Sequence, residues 1–586
     1  DGAMNAGQPA WTTCSSPHTV NGLTPAEHVL QVRAVDLAGN VDNPSAPDVN
    51  DPSDGVPAAY VWTVGAAPVK KTVFCGQKIT QSIVVNNSLG DCLGHGLIVG
   101  ADKITIDLNG KTIDGKSIGA AILNNGYDSV TVKNGILTDF DYGVMLNNGA
   151  KLNIVEGVTA ELNQEAAISL GHGTFPEDPT LAPSDPVPGF QSGVDDTILR
   201  SNTLVSNTRG VWILNGAKNN VVRGNLIGAS SDEAVWIERA GSNLVEGNDI
   251  QVSSHAGVLL EGAIDNAVRD NSIVDVGVGV LVGATTQGTT GIESTGNLVE
   301  GNLISDSAGP ALEIDTSSQN ELIDNVGTLT NAYAIELYRA NDNIIRGNEV
   351  SGNKGGVSLR ESVGNTIESN DASDSDSTGI TLESQSFSNV LLNNVSSNNV
   401  GGGIYIGDET PAGQGTLVQG NTTNSNKGEG IKASKPSHIF KDNVAFDNDS
   451  WGIHVGDPSN GKANIDGGGN VAQGNKGPLG VDLKPQQCYN ITCLGGPGGG
   501  DQIAPNTSLL ETPLDPSAES VAVFRFTGAD NASPVTFECR FESTLESAWQ
   551  PCASPKTYTN LVNDTYTFEV RAIDFSGNRD PTAASY

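Results

Sequence analysis

Basic residues, histidine, methionine and aromatic residues are all scarce in this chain. Lysine and arginine total 31 against 68 acidic residues, a formal charge of −37. That surface repels nucleic acid and anionic membranes and favours solubility and cationic contacts. No apolar run is long enough to span a bilayer. No stretch carries a 3.6-residue apolar stripe, so helices with a packing face are excluded over most of the chain. There is no glycine-rich phosphate loop and no nucleophile elbow. No signal-peptide pattern stands at Asp1, so the natural start is expected upstream.

What the chain has is asparagine at a nearly fixed interval. It closes short motifs such as Val222-Arg223-Gly224-Asn225. The closing residues are Asn202, Asn225, Asn248, Asn271, Asn302, Asn325, Asn348, Asn370, Asn394, Asn421 and Asn443. The steps are 23, 23, 23, 31, 23, 23, 22, 24, 27 and 22 residues, a period that means a solenoid. A leucine-rich repeat would want leucines at fixed places and often a helix. Here the intervening residues alternate, as in Gly210-Val211-Trp212-Ile213-Leu214 and Gly379-Ile380-Thr381-Leu382-Glu383, which is the strand signal. A parallel β-helix fits. The asparagines are read as structural: they tolerate the left-handed turn conformation, bond local backbone, and stack once per coil at ~4.8 Å.

The alternation sets a register. Val211, Ile213, Val235, Ile237, Ile335, Leu337, Ile380 and Leu382 should point inward. The outward positions form two columns. The first runs Trp212, Trp236, Leu259, Leu281, Glu313, Glu336, Ser358, Thr381, Tyr405, Lys432 and His454. The second runs Leu214, Glu238, Glu261, Gly283, Asp315, Tyr338, Arg360, Glu383 and Gly407. Aromatics beside carboxylates and arginine on a flat face suit sugar rings. Trp212, Trp236, Glu238, Glu261, Tyr338, Arg360, Glu383 and Tyr405 are the carbohydrate-binding candidates. Glu313, Asp315, Glu336, Tyr338 and Arg360 are the best catalytic cluster, though two carboxylates with an arginine also arise on any acidic sheet face. No metal site is assigned. The run Asp371 to Asp376 lacks the glycine and distal glutamate of an EF-hand loop and reads as a turn. Structural Ca2+ is the one cofactor the acid excess admits. Residues 172–194, with His172, Glu177, Asp178 and several prolines, form the largest excursion; smaller ones fall near 283–292 and 407–415.

Seven cysteines pair by proximity as Cys75–Cys92, Cys488–Cys493 and Cys539–Cys552, leaving Cys14 over. Such pairing implies an oxidising compartment, outside the cell or at its surface. Sequons at Asn394 and Asn421 are expected by chance in so asparagine-rich a chain.

The two ends are copies of one design. Aligned without a gap, Trp11 meets Trp549, Cys14 meets Cys552, Arg33 meets Arg571, Asp36 meets Asp574, and Gly39-Asn40 meets Gly577-Asn578. These segments resemble bacterial Ig-like β-sandwich repeats with a VRAxDxxGNxD signature. The first copy lacks the counterpart of Cys539 and the second stops sooner, so the chain is expected to be one period of a longer tandem array or to complete its sandwich with a neighbouring copy. The middle, with its entry through Ile104-Thr105-Ile106-Asp107-Leu108-Asn109-Gly110, resembles the right-handed parallel β-helix repeat family, which includes NosD-like proteins and carbohydrate-active lyases and epimerases.

The expected architecture is therefore all-β: a partial Ig-like sandwich over 1–65, a right-handed parallel β-helix over 66–497, and an Ig-like sandwich over 498–586. The favoured function is a structural or adhesive segment of a large extracellular, cell-surface or fibre protein. Its partners would be neighbouring copies and a polysaccharide, with no nucleic acid and no membrane span. The alternative is an enzyme on uronate polymers, a lyase or epimerase. The Asp-Pro-His signature of alginate epimerases does not occur, and the balance of the sequence leans away from an enzyme.

Overall fold

The computed structural model describes residues 69–171, 193–285, 291–407, 414–456, 464–476, 487–491, 493, 504–513, 520–529, 535–542, 546–559, 561–562, 564–573 and 578–586, with the backbone of 26–32 and 58–64. From Val69–Lys71 to Cys488–Tyr489 the chain is a right-handed parallel β-solenoid of about 16 turns. At one strand spacing per turn it is roughly 75 Å long. No helix occurs among the described residues, and none is long and apolar enough to cross a membrane.

Each turn contributes up to three short parallel strands. In one turn these are Val221–Arg223, Leu226–Ser230 and Val235–Glu238. Alternation places one or two side chains of each strand inside. The interior columns are aliphatic, as in Val222, Val245, Val268, Val299, Leu322 and Ile345, all buried. The inward set read from the sequence, Val211, Ile213, Val235, Ile237, Ile335, Leu337, Ile380 and Leu382, is buried throughout. One coil could not exclude water from these groups; the stack does so jointly. Glycines before the third strand permit the close fit. A Cβ on Gly257 would stand 2.6 Å from Ile273 Cγ2 and 2.7 Å from the carbonyl oxygen of Gly279.

The asparagine ladder forms, with two corrections of detail. The left-handed residue is the one before each ladder asparagine, for example Ser201, Gly224, Asp270 or Asp324. The asparagine itself is buried, and its amide works across coils. Asn248 accepts at Oδ1 from Asn225, and donates from Nδ2 to Asn271 Oδ1 at 3.0 Å and to the Val222 carbonyl at 2.9 Å. There is also more than one ladder. A second runs Asn220, Asn243, Asn266, Asn297, Asn320, Asn343 and Asn365, and a third links Asn426, Asn448 and Asn475. The corners between sheets thus carry buried, satisfied amides. Asn394 and Asn421 belong to the first ladder and are buried, which leaves no room for a glycan at either sequon.

All three expected disulfides are present, with Cα atoms 5.5 Å apart for Cys75–Cys92, 6.1 Å for Cys488–Cys493 and 5.7 Å for Cys539–Cys552. Cys14 lies outside the described residues, as do Trp11, Arg33, Asp36, residues 172–192, 286–290 and 408–413.

Beyond the solenoid, Asn506–Glu511, Ala522–Ala529 and Lys556–Tyr558 form one antiparallel sheet. Glu546–Cys552, Thr536–Glu542, Thr567–Ile573 and Ala584–Ser585 form another. Their shared core holds Phe524, Phe526, Phe541, Phe568 and Val570 with Cys539. At the other end Ala26–Val32 pairs antiparallel with Ala58–Val64, Val32 opposite Ala58. The aligned Val570 lies opposite Ala584. At both ends the aligned segment is thus a strand in an antiparallel pair.

Candidate functional site

The third strand of each turn presents the flat outer face. Its cross-strand partners reproduce the columns expected from the sequence, the first to His454 and the second to Glu383, with no pairing among the described residues that extends the second to Gly407. Along the first, Trp212 faces Trp236, Trp236 faces Leu259, Leu259 faces Leu281, Leu281 faces Glu313, and Glu313 faces Glu336. Ser358, Thr381, Tyr405, Lys432 and His454 continue it. Along the second, Leu214, Glu238, Glu261, Gly283, Asp315, Tyr338, Arg360 and Glu383 follow one another. From Trp212 to Glu383 the candidates span roughly 34 Å.

At the head of this face, the Trp212 and Trp236 rings stack with centroids 5.1 Å apart and planes 4° apart. The Arg209 guanidinium lies 4.9 Å from each ring centroid. It is fixed there by Asp232 at 2.7 Å, Glu233 at 3.0 Å and Glu165 at 3.5 Å. His255 Nδ1 lies 2.9 Å from Glu233 Oε1. The Glu233 hydrogen bond raises the His255 pKa against the effect of burial. Burial alone would raise Glu233, but His255 and Arg209 outweigh it and hold that carboxyl below its usual range. Asp232 is pushed up by burial and by the neighbouring Glu233 charge. Ligand atoms of Asp232, Glu233 and His255 lie within 4.8 Å of one another. Arg209 already compensates both carboxylates, so the group is built as an ion-pair network.

Further along, Glu313, Asp315, Glu336, Tyr338 and Arg360 do come together on adjacent strands. Two guanidiniums lie over the Tyr338 ring, Arg339 4.7 Å and Arg360 4.5 Å from its centroid. Arg339 is paired with Glu361 at 2.9 Å. Glu313 is pushed up to about 7, first by burial and then by Glu336 and Asp315, with His255 and Arg360 opposing. Burial also raises Glu336, against the pull of Arg360. Burial raises Glu238, with Arg239 opposing and Glu261 adding to it. Gly283 leaves a dent between Glu261 and Asp315, since a Cβ there would meet nothing within 4 Å. Tyr405 stands apart, three strands beyond Glu336. Past it Trp451, His454 and Tyr489 cluster, with centroids 5.2 to 6.2 Å apart. Glu429 is drawn down to about 2, first by its His454 hydrogen bond and further by Lys432.

The sequence reading missed Arg209, Asp232, Glu233 and His255. Each lies just before the alternating segment, where the strand approaches the face. The signal was Arg209 beside Gly210 and the acid pair beside Ala234, which follow the same repeat. Asp371, in the run weighed for calcium, accepts at Oδ1 from the Ser373 backbone N–H at 3.1 Å and caps a turn.

The family model described as right handed beta helix region matches residues 291–438. That of the periplasmic copper-binding protein NosD matches residues 191–292. No curated protein matches the chain. Among solved structures, the chain is similar to an alginate lyase from Paenibacillus sp. str. FPU-7, with 15% identity over 44% of this chain and 90% of that one, at a TM-score of 0.31. It is similar to the A-module of the mannuronan C-5 epimerase AlgE4 from Azotobacter vinelandii, with 12% identity over 66% and 91%, at 0.35. It is also similar to the Dettilon tailspike protein, with 13% identity over 87% and 85%, at 0.30. Both matches fall within the solenoid, whose fold is a right-handed parallel β-helix. Its three disulfides fit a non-cytoplasmic location.

Proposed function

We propose that the protein is an extracellular structural or adhesive segment that binds a polysaccharide along the outer face of its β-helix. One observation carries the reading: two stacked tryptophans, an arginine-clamped tyrosine and a row of carboxylates lie in register on one flat sheet. The partly exposed rings offer apolar contact to the C–H groups of pyranose rings, and carboxylates accept from their hydroxyls. Strand spacing repeats these groups along a line, which suits a chain-like ligand. The end units are taken as Ig-like sandwiches that join the rod to neighbouring copies, and any Ca2+ as structural, so that EDTA would lower the melting temperature. The test is a glycan array followed by titration of tryptophan fluorescence. Trp236→Ala and Tyr338→Ala should each weaken the retained glycan about tenfold. A chain that retains no glycan would end the reading.

A second reading rests on Glu313. A carboxyl titrating near neutrality beside Glu336 and Asp315 is suited to proton transfer, so the same face could act on the polysaccharide it holds, as a uronate lyase or epimerase would. Unsaturated uronate at new chain ends for a lyase, or inverted C5 configuration in the intact polymer by NMR for an epimerase, absent in Glu313→Gln, would establish it; no turnover on any bound glycan would remove it.

A further inference from the structure

Carboxylates dominate the candidate face. Glu238, Glu261, Asp315 and Glu383 stand in its second column, and Glu313 and Glu336 in its first. Most of the nearby cations are engaged. Arg209 is tied to Glu165, Asp232 and Glu233, Arg339 to Glu361, and Arg239 lies 4.0 Å from Glu238. Arg360 makes no ion pair among the described residues, but it lies over Tyr338 and is flanked in register by Glu383. Glu313 and Glu336 both feel its charge, and Asp315 adds to the negative field at Glu313.

A ligand laid along this line meets an acceptor row with a negative field. Like charges a few ångströms apart repel strongly in a partly dry site, and the repulsion compounds along a polymer that carries one charge per sugar. The whole-molecule charge of −37 adds a long-range barrier to a polyanion. Hydroxyl groups meet the opposite situation. An ionised carboxylate is acceptor-only, and an O–H donor gives it a short, charge-assisted bond. Burial already works against the charged forms of Glu238, Glu313 and Glu336, so a donor stabilises them and a second anion does not.

Resting on the polysaccharide-binding reading, we infer that the ligand is an uncharged, hydroxyl-rich polysaccharide and that the face rejects polyuronates. This bears on the second reading as well. A uronate lyase or epimerase must neutralise the substrate carboxylate, and here the single arginine available for that task sits among four competing acids.

Affinity electrophoresis of the full chain at an ionic strength of about 20 mM, in EDTA, decides the matter. Gels would carry β-glucan, galactomannan or xylan on one side, and alginate or polygalacturonate on the other. The expected result is retention in at least one uncharged gel with a dissociation constant at least about tenfold below that for either polyuronate. The triple variant Glu238→Gln, Glu261→Gln, Glu336→Gln should weaken neutral binding about fivefold and narrow the gap to the polyuronates. Polyuronate bound as tightly as any neutral polymer, or more tightly, overturns the inference and leaves polysaccharide binding standing. Retention by none of the gels overturns both. If the triple variant loses its β circular-dichroism spectrum, the wild-type comparison decides alone.

Discussion

Asn225 gives both its backbone N–H and its side-chain amide to one oxygen, Oδ1 of Asn248, at 3.0 Å each. Each coil is thereby fastened to the next by a side chain that the following coil supplies. Asn248→Ala removes the acceptor for both donors and the donor to the Val222 carbonyl. In a buried corner those groups find no water, and an unsatisfied buried group costs about 1–3 kcal/mol. The expected outcome is a clear fall in melting temperature, with increased protease cleavage near residues 225–248. An unchanged midpoint would mean that the corner rearranges to satisfy itself.

Ile237 is fully buried between Ile213 and Leu260 in register. Ile237→Asp puts a carboxylate in a dry aliphatic column and should cost several kcal/mol, whereas Ile237→Val should cost about 1 kcal/mol. Thermal unfolding of the two variants reads the difference. Equal midpoints would refute the inward assignment.

These positions show how much the sequence made legible. Period two on the third strand decides which residues face in, and the 23-residue step decides which residues stack, so both outward columns are legible in the sequence. Proximity sufficed for the disulfides because each pair spans 17 residues or fewer. Which corner residue takes the left-handed conformation was not legible, because asparagine, glycine, aspartate and serine all adopt it readily, and the position before the ladder asparagine takes it whichever of these stands there, Asn393 included. Arg209 was missed for a related reason. Its role depends on Glu165, Asp232 and Glu233 from neighbouring coils, which only the three-dimensional stack brings together. The rise in Glu313 likewise needs burial, which a column of letters does not report.

Arg209→Lys tests the clamp at the tryptophan pair. A lysine ammonium can meet one carboxylate, but it cannot bridge Asp232 and Glu233 while also covering both rings. Leaving a half-buried acid uncompensated should cost about 1–3 kcal/mol. Adding Asp232→Asn to Arg209→Lys should recover part of the loss, since the stranded charge is then gone. A double variant no more stable than the single one would show that packing on the rings, not charge, sets the cost.

Reduction tests the cap at the start of the solenoid. Closing a loop of the Cys75–Cys92 length is worth about 3 kcal/mol in the chain-entropy account. Cys75→Ser with Cys92→Ser should therefore lower the melting temperature and open the first coils to protease before the central ones. Simultaneous cleavage along the whole solenoid would count against local fraying.

Glu313 gives the last prediction. Its folded value of about 7 lies above the ordinary 4.5, so the folded chain holds a proton there that the unfolded chain releases earlier. Stability from this group is complete below about pH 4.5 and is lost as pH rises through 7. The full shift corresponds to about 3 kcal/mol, and screening at a partly exposed site reduces it to about 1–2 kcal/mol. Glu313→Gln keeps the shape and removes the titration. Its melting temperature should match wild type near pH 4 and exceed it by a few degrees at pH 8. Glu429 pulls the other way: its value near 2 gives stability that is present above pH 4.5 and lost toward pH 2, so acid unfolding below pH 4 should be unaffected by the Glu313 change. A wild-type-to-variant difference that stays constant from pH 4 to pH 8 would show that Glu313 titrates normally, and the proton-transfer reading of this face would lose its only support.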